Sequence, residues 1–143
     1  MPRSPRPLQV LFVCVGNSCR SQMAEGWANH FGKGKVEAHS AGSHPLGKIT
    51  AETYTVMSER GISIDSQWSK GLTEILMPEM DVVVSMGCEV ECPIPDDFKG
   101  RVAKWEIPDP YGQGIETFRN VRDMVERQVL ELLANYLPPG FAS

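Results

Sequence analysis

No run of apolar residues in this 143-residue chain approaches the ~20 needed to cross a bilayer, so no membrane contact is expected. An excess of positive charge is also missing. Against 14 Lys and Arg stand 18 Asp and Glu, a net charge of −4, which argues against a nucleic-acid partner. Metal-ligand spacing is lacking too. The four cysteines fall as C-x4-C (Cys14, Cys19) and C-x3-C (Cys88, Cys92), outside zinc-ribbon spacing, and His30, His39 and His44 form no ligand pattern. No metal is therefore expected, and the histidines read as surface or packing residues. Arg3 and Arg6 ahead of Leu8–Val15 mimic a secretion signal, but Gln9 breaks the run and no small-x-small cleavage site follows. The expected location is cytoplasmic, where thiols stay reduced and serve chemistry rather than staples. No repeat, low-complexity tract or linker divides the chain, so 8–143 is expected to form a single domain behind a flexible leader at 1–7.

What is present alternates between strand and helix. Leu8–Cys14 (LQVLFVC) is nearly continuous in apolar residues, as in a strand buried on both faces. Met23, Ala24, Trp27, Ala28 and Phe31 stripe a helix over 20–31. Lys35–Ser40 alternates like an edge strand, and Thr50–Arg60 reads as a helix stopped by Gly61. Ser66–Met77 is ambiguous, with room for a short helix. Met80–Met86 is a second apolar strand and Arg101–Ile107 a second alternating one. A last helix, about 115–137, carries Phe118, Val121, Val125, Val129, Leu132 and Tyr136 on one stripe before Pro138 and Pro139. Right-handed crossovers between central apolar strands and outer alternating ones give an α/β fold with a parallel sheet of order 2-1-3-4. Its switch point lies between strands 1 and 3, which puts Cys14 and Cys88 near one another beyond the carboxyl ends.

Cys14-Val-Gly-Asn-Ser-Cys-Arg20 is a C-x5-R loop between a buried strand and a helix. A loop of this length can wrap a tetrahedral oxyanion with converging backbone N–H groups at the helix N-terminus. Gly16 and Asn17 tolerate the left-handed backbone that wrapping requires. Arg20 can grip two anion oxygens through its fork, and the same positive field favours Cys14 as a thiolate nucleophile. Val15, Gly16, Asn17, Ser18, Cys19, Arg20 and Ser21 are thus the expected oxyanion-binding set. Cys19 reads by default as a packed small side chain, with an oxidative partner protecting Cys14 as the alternative. Asp109, in Pro-Asp-Pro-Tyr beyond strand 4, is at the same sheet edge and is a candidate proton donor.

The stretch Val13–Trp27, the Asp109-Pro110 pair and the strand order resemble the low-molecular-weight protein tyrosine phosphatase superfamily. The continuation Ser21-Gln22-Met23-Ala24-Glu25-Gly26 resembles its arsenate reductase branch more closely than its phosphatase branch. The resemblance runs from Leu8 to Leu137. It implies a flavodoxin-like three-layer sandwich with helices on both faces, Cys14 as nucleophile, Arg20 holding the oxyanion and Asp109 assisting protonation. It also implies reduction of arsenate to arsenite through a cysteine disulfide relay, with phosphate as a competing anion. No tightly bound cofactor is expected. The external reductant is thioredoxin or a glutathione/glutaredoxin system, and a monomer is expected.

Cys88 and Cys92 fit such a relay, because on one helical turn they would stand about 6 Å apart between Cα atoms, inside the disulfide range. Pro93 disfavours that helix at Cys92 and points to a loop. Reductases of the thioredoxin-coupled type separate their relay cysteines more widely, which leaves the reductant and the order of Cys88 and Cys92 open. Tyr111 after Asp109-Pro110 resembles the phosphatase branch instead, although Ser43–Thr50 lacks the aromatics expected around a phosphotyrosine cleft. The alternative function is therefore a tyrosine phosphatase working through a cysteinyl-phosphate. Some reductases bind a monovalent cation at positions resembling Asn17, Glu25 and Ser40 plus an aspartate. Lys70 stands near that last position, and its ammonium is expected to substitute for the ion.

Overall fold

The apolar strand β1 (Leu8–Cys14) alternates its side chains between the two faces of a sheet, and both faces are buried. Val10, Phe12 and Cys14 enter one core; Leu11 and Val13 enter a second. The structure, a computed structural model, describes residues 6–87 and 92–142. On either side of β1 lie β2 (Val36–Gly42) and β3 (Val82–Met86), and β4 (Arg101–Trp105) pairs with β3. All pairs are parallel and the order is 2-1-3-4, as the sequence implied. The register brings Cys14 opposite Gly42, Val13 opposite Ser85 and Met86 opposite Trp105, so four strand ends share one carboxyl edge.

β2 continues two residues past its expected end because Gly42 lets the backbone approach the loop after β1. A Cβ there would lie 2.5 Å from the Val15 carbonyl oxygen. The Gly42 N–H donates to the Lys70 carbonyl at 2.9 Å, which brings the 70–71 backbone alongside.

The helices α1 (Arg20–Phe31), α2 (Ala51–Ser58) and α3 (Ile115–Ala134) all pack into the core that holds Val10, Phe12 and Cys14. On α3 the buried stripe is Phe118, Val121, Val125, Val129 and Leu133. Leu133 takes the place expected for Leu132, and Tyr136 falls beyond the helix end. Steps of 3.6 residues allow either neighbour at that distance from Phe118. Among the described residues the second face has helical structure only as two three-residue 3-10 turns, Leu72–Glu74 and Met77–Glu79. Gly71 and Pro78 punctuate this stretch and keep a longer helix from forming over 66–77. Leu72, Ile75, Met77, Met80, Cys92 and Phe98 cover Leu11, Val13, Ala41 and Val83 there.

An ion network fastens α2 to α3. The buried Arg122 donates to the Val56 carbonyl at 3.1 Å and to Glu59 at 2.7 Å, and Arg119 grips both Glu59 and Glu116. Hydrogen bonds from Arg119 hold the Glu59 carboxyl down at about 2. No helix among the described residues is long and apolar enough to cross a membrane.

Candidate functional site

Every carbonyl from Cys14 to Cys19 is occupied by a donor from outside the loop or beneath it. Ser43 N–H donates to the Cys14 oxygen at 3.0 Å, His44 N–H to Val15 at 2.8 Å and Leu46 N–H to Gly16 at 2.9 Å. The Gln22 side chain takes the Asn17 oxygen at 3.0 Å, and the Thr53 hydroxyl takes Ser18 at 3.0 Å. Met23 N–H closes on Cys19 at 3.0 Å as the first turn of α1. In a trans peptide the N–H opposes the C=O, so carbonyls drawn outward turn the N–H side inward. The segment 43–53 after β2 thus acts as a strap that shapes the loop. It is the part of the site that was missed in the sequence. Its signal was topological, since a wrapped loop needs donors and the chain leaving β2 passes the same sheet edge.

The bowl so formed is a cavity of about 200 Å³ lined by Cys14, Val15, Gly16, Ser18, Cys19, Arg20, His44, Leu46, Asp109 and Tyr111. Most of the expected oxyanion set is here. Asn17 and Ser21, fully buried, are not among the lining residues and support the loop from behind. Asn17 has φ 49°, the left-handed backbone anticipated for it. Its side-chain oxygen accepts from Lys70 N–H at 2.8 Å and its amide donates to Ser21 Oγ at 2.7 Å. Ser21 Oγ lies 2.8 Å from Cys14 Sγ. His44, expected to be a surface or packing residue, reaches the cavity wall because the strap carries it there.

Arg20 is buried at the floor. Its Nη1 donates to the Met86 carbonyl at 2.6 Å and the Ile107 carbonyl at 3.0 Å, at the exits of β3 and β4. Nη2 stands 3.9 Å from Asp109 Oδ2. Asp109 is half exposed, and its other oxygen accepts from Tyr111 N–H at 3.1 Å. The acid expected beyond strand 4 and the arginine of the loop therefore meet in one cavity.

Cys92 does not join them. It sits half-buried in the second core, on the sheet face opposite to that of Cys14, and burial pushes its thiol up from its usual range. Cys88 lies outside the described residues. Cys19 is buried in the cavity wall 3.5 Å from Thr50 Oγ1, and burial raises its thiol as well.

Behind the loop, Lys70 Nζ stands 3.9 Å from Glu25 Oε1 and donates to the Trp68 carbonyl at 3.0 Å. The indole of Trp68 covers it, with Nζ 4.3 Å from the ring centre. Ser40 Oγ donates to the same Glu25 oxygen at 2.6 Å. An ammonium already meets the carboxylate that a monovalent cation would need, so these residues do not fit a second cation. Among the described residues no group of three or more His, Cys, Asp or Glu side chains could hold a metal.

Residues 9–137 match the family model described as low molecular weight phosphotyrosine protein phosphatase. The chain is 39% identical over 127 residues to the glutaredoxin arsenate reductase of Synechocystis, covering 88% of this chain and 96% of that one. Among solved structures it is similar to an arsenate reductase in the phosphate binding state, with a TM-score of 0.82 and 37% identity over 91% of this chain and 99% of the other. It is also similar to a thioredoxin-dependent arsenate reductase of Corynebacterium glutamicum, with a TM-score of 0.76 and 31% identity over 90% and 61% of the two chains.

Proposed function

The chain belongs to the low molecular weight phosphotyrosine protein phosphatase family, and from that premise we propose how its site works as a thiol-dependent arsenate reductase. Arsenate enters the bowl with its oxygens toward the loop N–H groups and the Arg20 guanidinium. The Cys14 thiolate attacks arsenic and a hydroxyl leaves as water, its proton supplied from Asp109. Cys88 then attacks the Cys14 sulfur. The electron pair of the broken As–S bond stays on arsenic, which departs as arsenite, and a Cys14–Cys88 disulfide remains. Cys92 attacks Cys88 and frees Cys14. An external dithiol or glutathione system reduces the last disulfide.

Cys92 is the observation that carries the reductase reading, since a phosphatase has no chemical use for a further thiol beyond β3. Its seat on the far sheet face supports placing it last in the relay, away from the bowl. Such chemistry requires a reducing compartment, which supports a cytoplasmic location. Inorganic phosphate, of the same shape and charge, competes with arsenate for the loop. The chain acts as a monomer on this reading.

The second reading, a tyrosine phosphatase, is favoured by Asp109 at the cavity and by Tyr111, 52% exposed at its mouth, where it could flank an aryl ring. One experiment separates the two. Arsenate-dependent NADPH oxidation is measured with thioredoxin and thioredoxin reductase, and separately with glutathione and glutaredoxin, for the native chain, Cys88→Ser and Cys92→Ser. Turnover with one system and its loss in both variants supports the reductase. No turnover with either, alongside aryl phosphate hydrolysis that survives Cys88→Ser, supports the phosphatase.

A further inference from the structure

Two thiols face one small cavity, and the relay uses only one of them. Cys14 closes β1 and Cys19 caps α1; each is no more than 3% exposed and both belong to the wall of the same 200 Å³ bowl. That volume is several times the ~30 Å³ share of a water molecule, enough for a three-coordinate oxide of arsenic. Among the described residues, the hydrogen-bond partners of Cys19 Sγ are hydroxyls, Thr50 Oγ1 at 3.5 Å and Ser18 Oγ at 3.6 Å with Thr53 beside them, which leave the sulfur available to a soft electrophile.

We propose that Cys14 and Cys19 together form a dithiol site for trivalent arsenic, so that the bowl which receives the pentavalent oxyanion also retains its reduced product. The proposal rests on the arsenate reductase reading for the source of that product. Its chemistry does not depend on turnover.

The step is a condensation without electron transfer. Arsenite, As(OH)3, meets the Cys14 thiolate and the Cys19 thiol; two As–O bonds break and two As–S bonds form. The two hydroxyls leave as water with one proton from the Cys19 thiol and one from solvent, giving a bis-thiolate with one hydroxyl still on arsenic. Arsenic stays trivalent throughout. Trivalent arsenic is soft and thiophilic, and holding two sulfurs in one loop turns the second bond into an intramolecular event of high effective concentration. Arsenite is neutral at neutral pH, so it needs neither Arg20 nor the loop N–H groups that arsenate requires. Burial, which keeps the Cys19 thiol protonated, supplies one of the two protons that leave as water.

The consequence is feedback. Arsenite that accumulates should occupy the nucleophile and inhibit its own formation, until Cys88 or an external thiol displaces it.

The test uses the full chain with Cys88→Ser and Cys92→Ser, which keeps only Cys14 and Cys19, reduced with a phosphine and titrated with sodium arsenite. The expected result is one arsenite bound per chain, with both remaining thiols lost to a colorimetric thiol reagent. Adding Cys19→Ala should weaken binding roughly tenfold or more, as loss of one chelating arm requires. A circular dichroism spectrum and melting temperature matching those of the two-thiol parent show that this variant is still folded. Arsenite affinity unchanged by Cys19→Ala, or protection of Cys14 alone, overturns the proposal. Native chain that fails to reduce arsenate while the two-thiol variant chelates arsenite would instead remove the reductase reading and leave the site.

Discussion

Cys14 Sγ and Ser21 Oγ lie 2.8 Å apart, and the neighbour of Ser21 decides which way that bond runs. Asn17 donates its amide proton to the Ser21 oxygen at 2.7 Å, and the Asn17 oxygen is itself held by Lys70 N–H, so the amide cannot be turned round. With its oxygen accepting from Asn17, Ser21 has its own proton to give to Cys14. A thiolate is what accepts it best.

Ser21→Ala removes that donor without touching the cavity wall. A hydrogen bond to a charged group contributes about 1.5–3 kcal/mol, so the variant should alkylate with iodoacetamide at neutral pH roughly 10- to 100-fold more slowly at Cys14. An unchanged alkylation rate would show that the loop N–H groups alone hold the thiolate.

Gly42→Ala forces a methyl to within 2.5 Å of the Val15 oxygen, a backbone atom that cannot swing aside. The expected cost is about 1–3 kcal/mol in urea unfolding, as for other overpacked sites. Because Val15 lines the bowl, phosphate affinity should fall with it. A variant as stable as the native chain would refute the close approach.

Asp109→Asn should separate the chemistries. An aryl phosphate leaving group needs a proton more than exchange at arsenic does, so its hydrolysis should drop about 10²- to 10⁴-fold, and arsenate turnover by less. Equal losses in the two assays would contradict this division of labour.

Potassium should not raise the melting temperature of the native chain. The Lys70 ammonium already faces Glu25, beside Ser40, under the Trp68 ring. Potassium-dependent stabilisation should appear on Lys70→Asp, which exchanges the ammonium for a ligand. A marked rise for the native chain in potassium titration would disprove the substitution.

Acid should loosen the α2–α3 junction first. The Glu59 carboxyl is held at about 2 against an ordinary 4.5, and Asp123 is also lowered, chiefly by its hydrogen bond from Arg122. A carboxylate depressed on folding stabilises the native state above its unfolded value and loses that contribution as pH falls toward its folded one. Stability from this network should therefore decline between about pH 4.5 and 2. Glu59→Gln should flatten the decline in acid-unfolding curves, and an unaltered slope would rule the junction out.

Much of this was legible in the residues because it depends on local pattern. Apolar continuity marked β1 and β3 as central, alternation marked β4 as an edge, and the C-x5-R spacing between strand and helix marked the bowl. What stayed hidden depends on distant backbone. Nothing in Ser43–Leu46 advertises donors for a loop about 30 positions earlier, and Gly42 shows its purpose only beside Val15. The resemblance proposes Cys92 for a relay, but no pattern gives it a sheet face, because Pro93 takes the chain out of any periodic element that would reveal it.

The strap over 43–53 has a consequence for how this protein can change. The shape of the bowl is written partly in residues such as Ser43 and Thr53 that do not line it. Substitutions there could retune the grip on arsenate against phosphate while the C-x5-R sequence stays letter-perfect. Two relatives with the same loop can therefore differ in their preference for the two anions, and the difference should be sought one layer outside the motif.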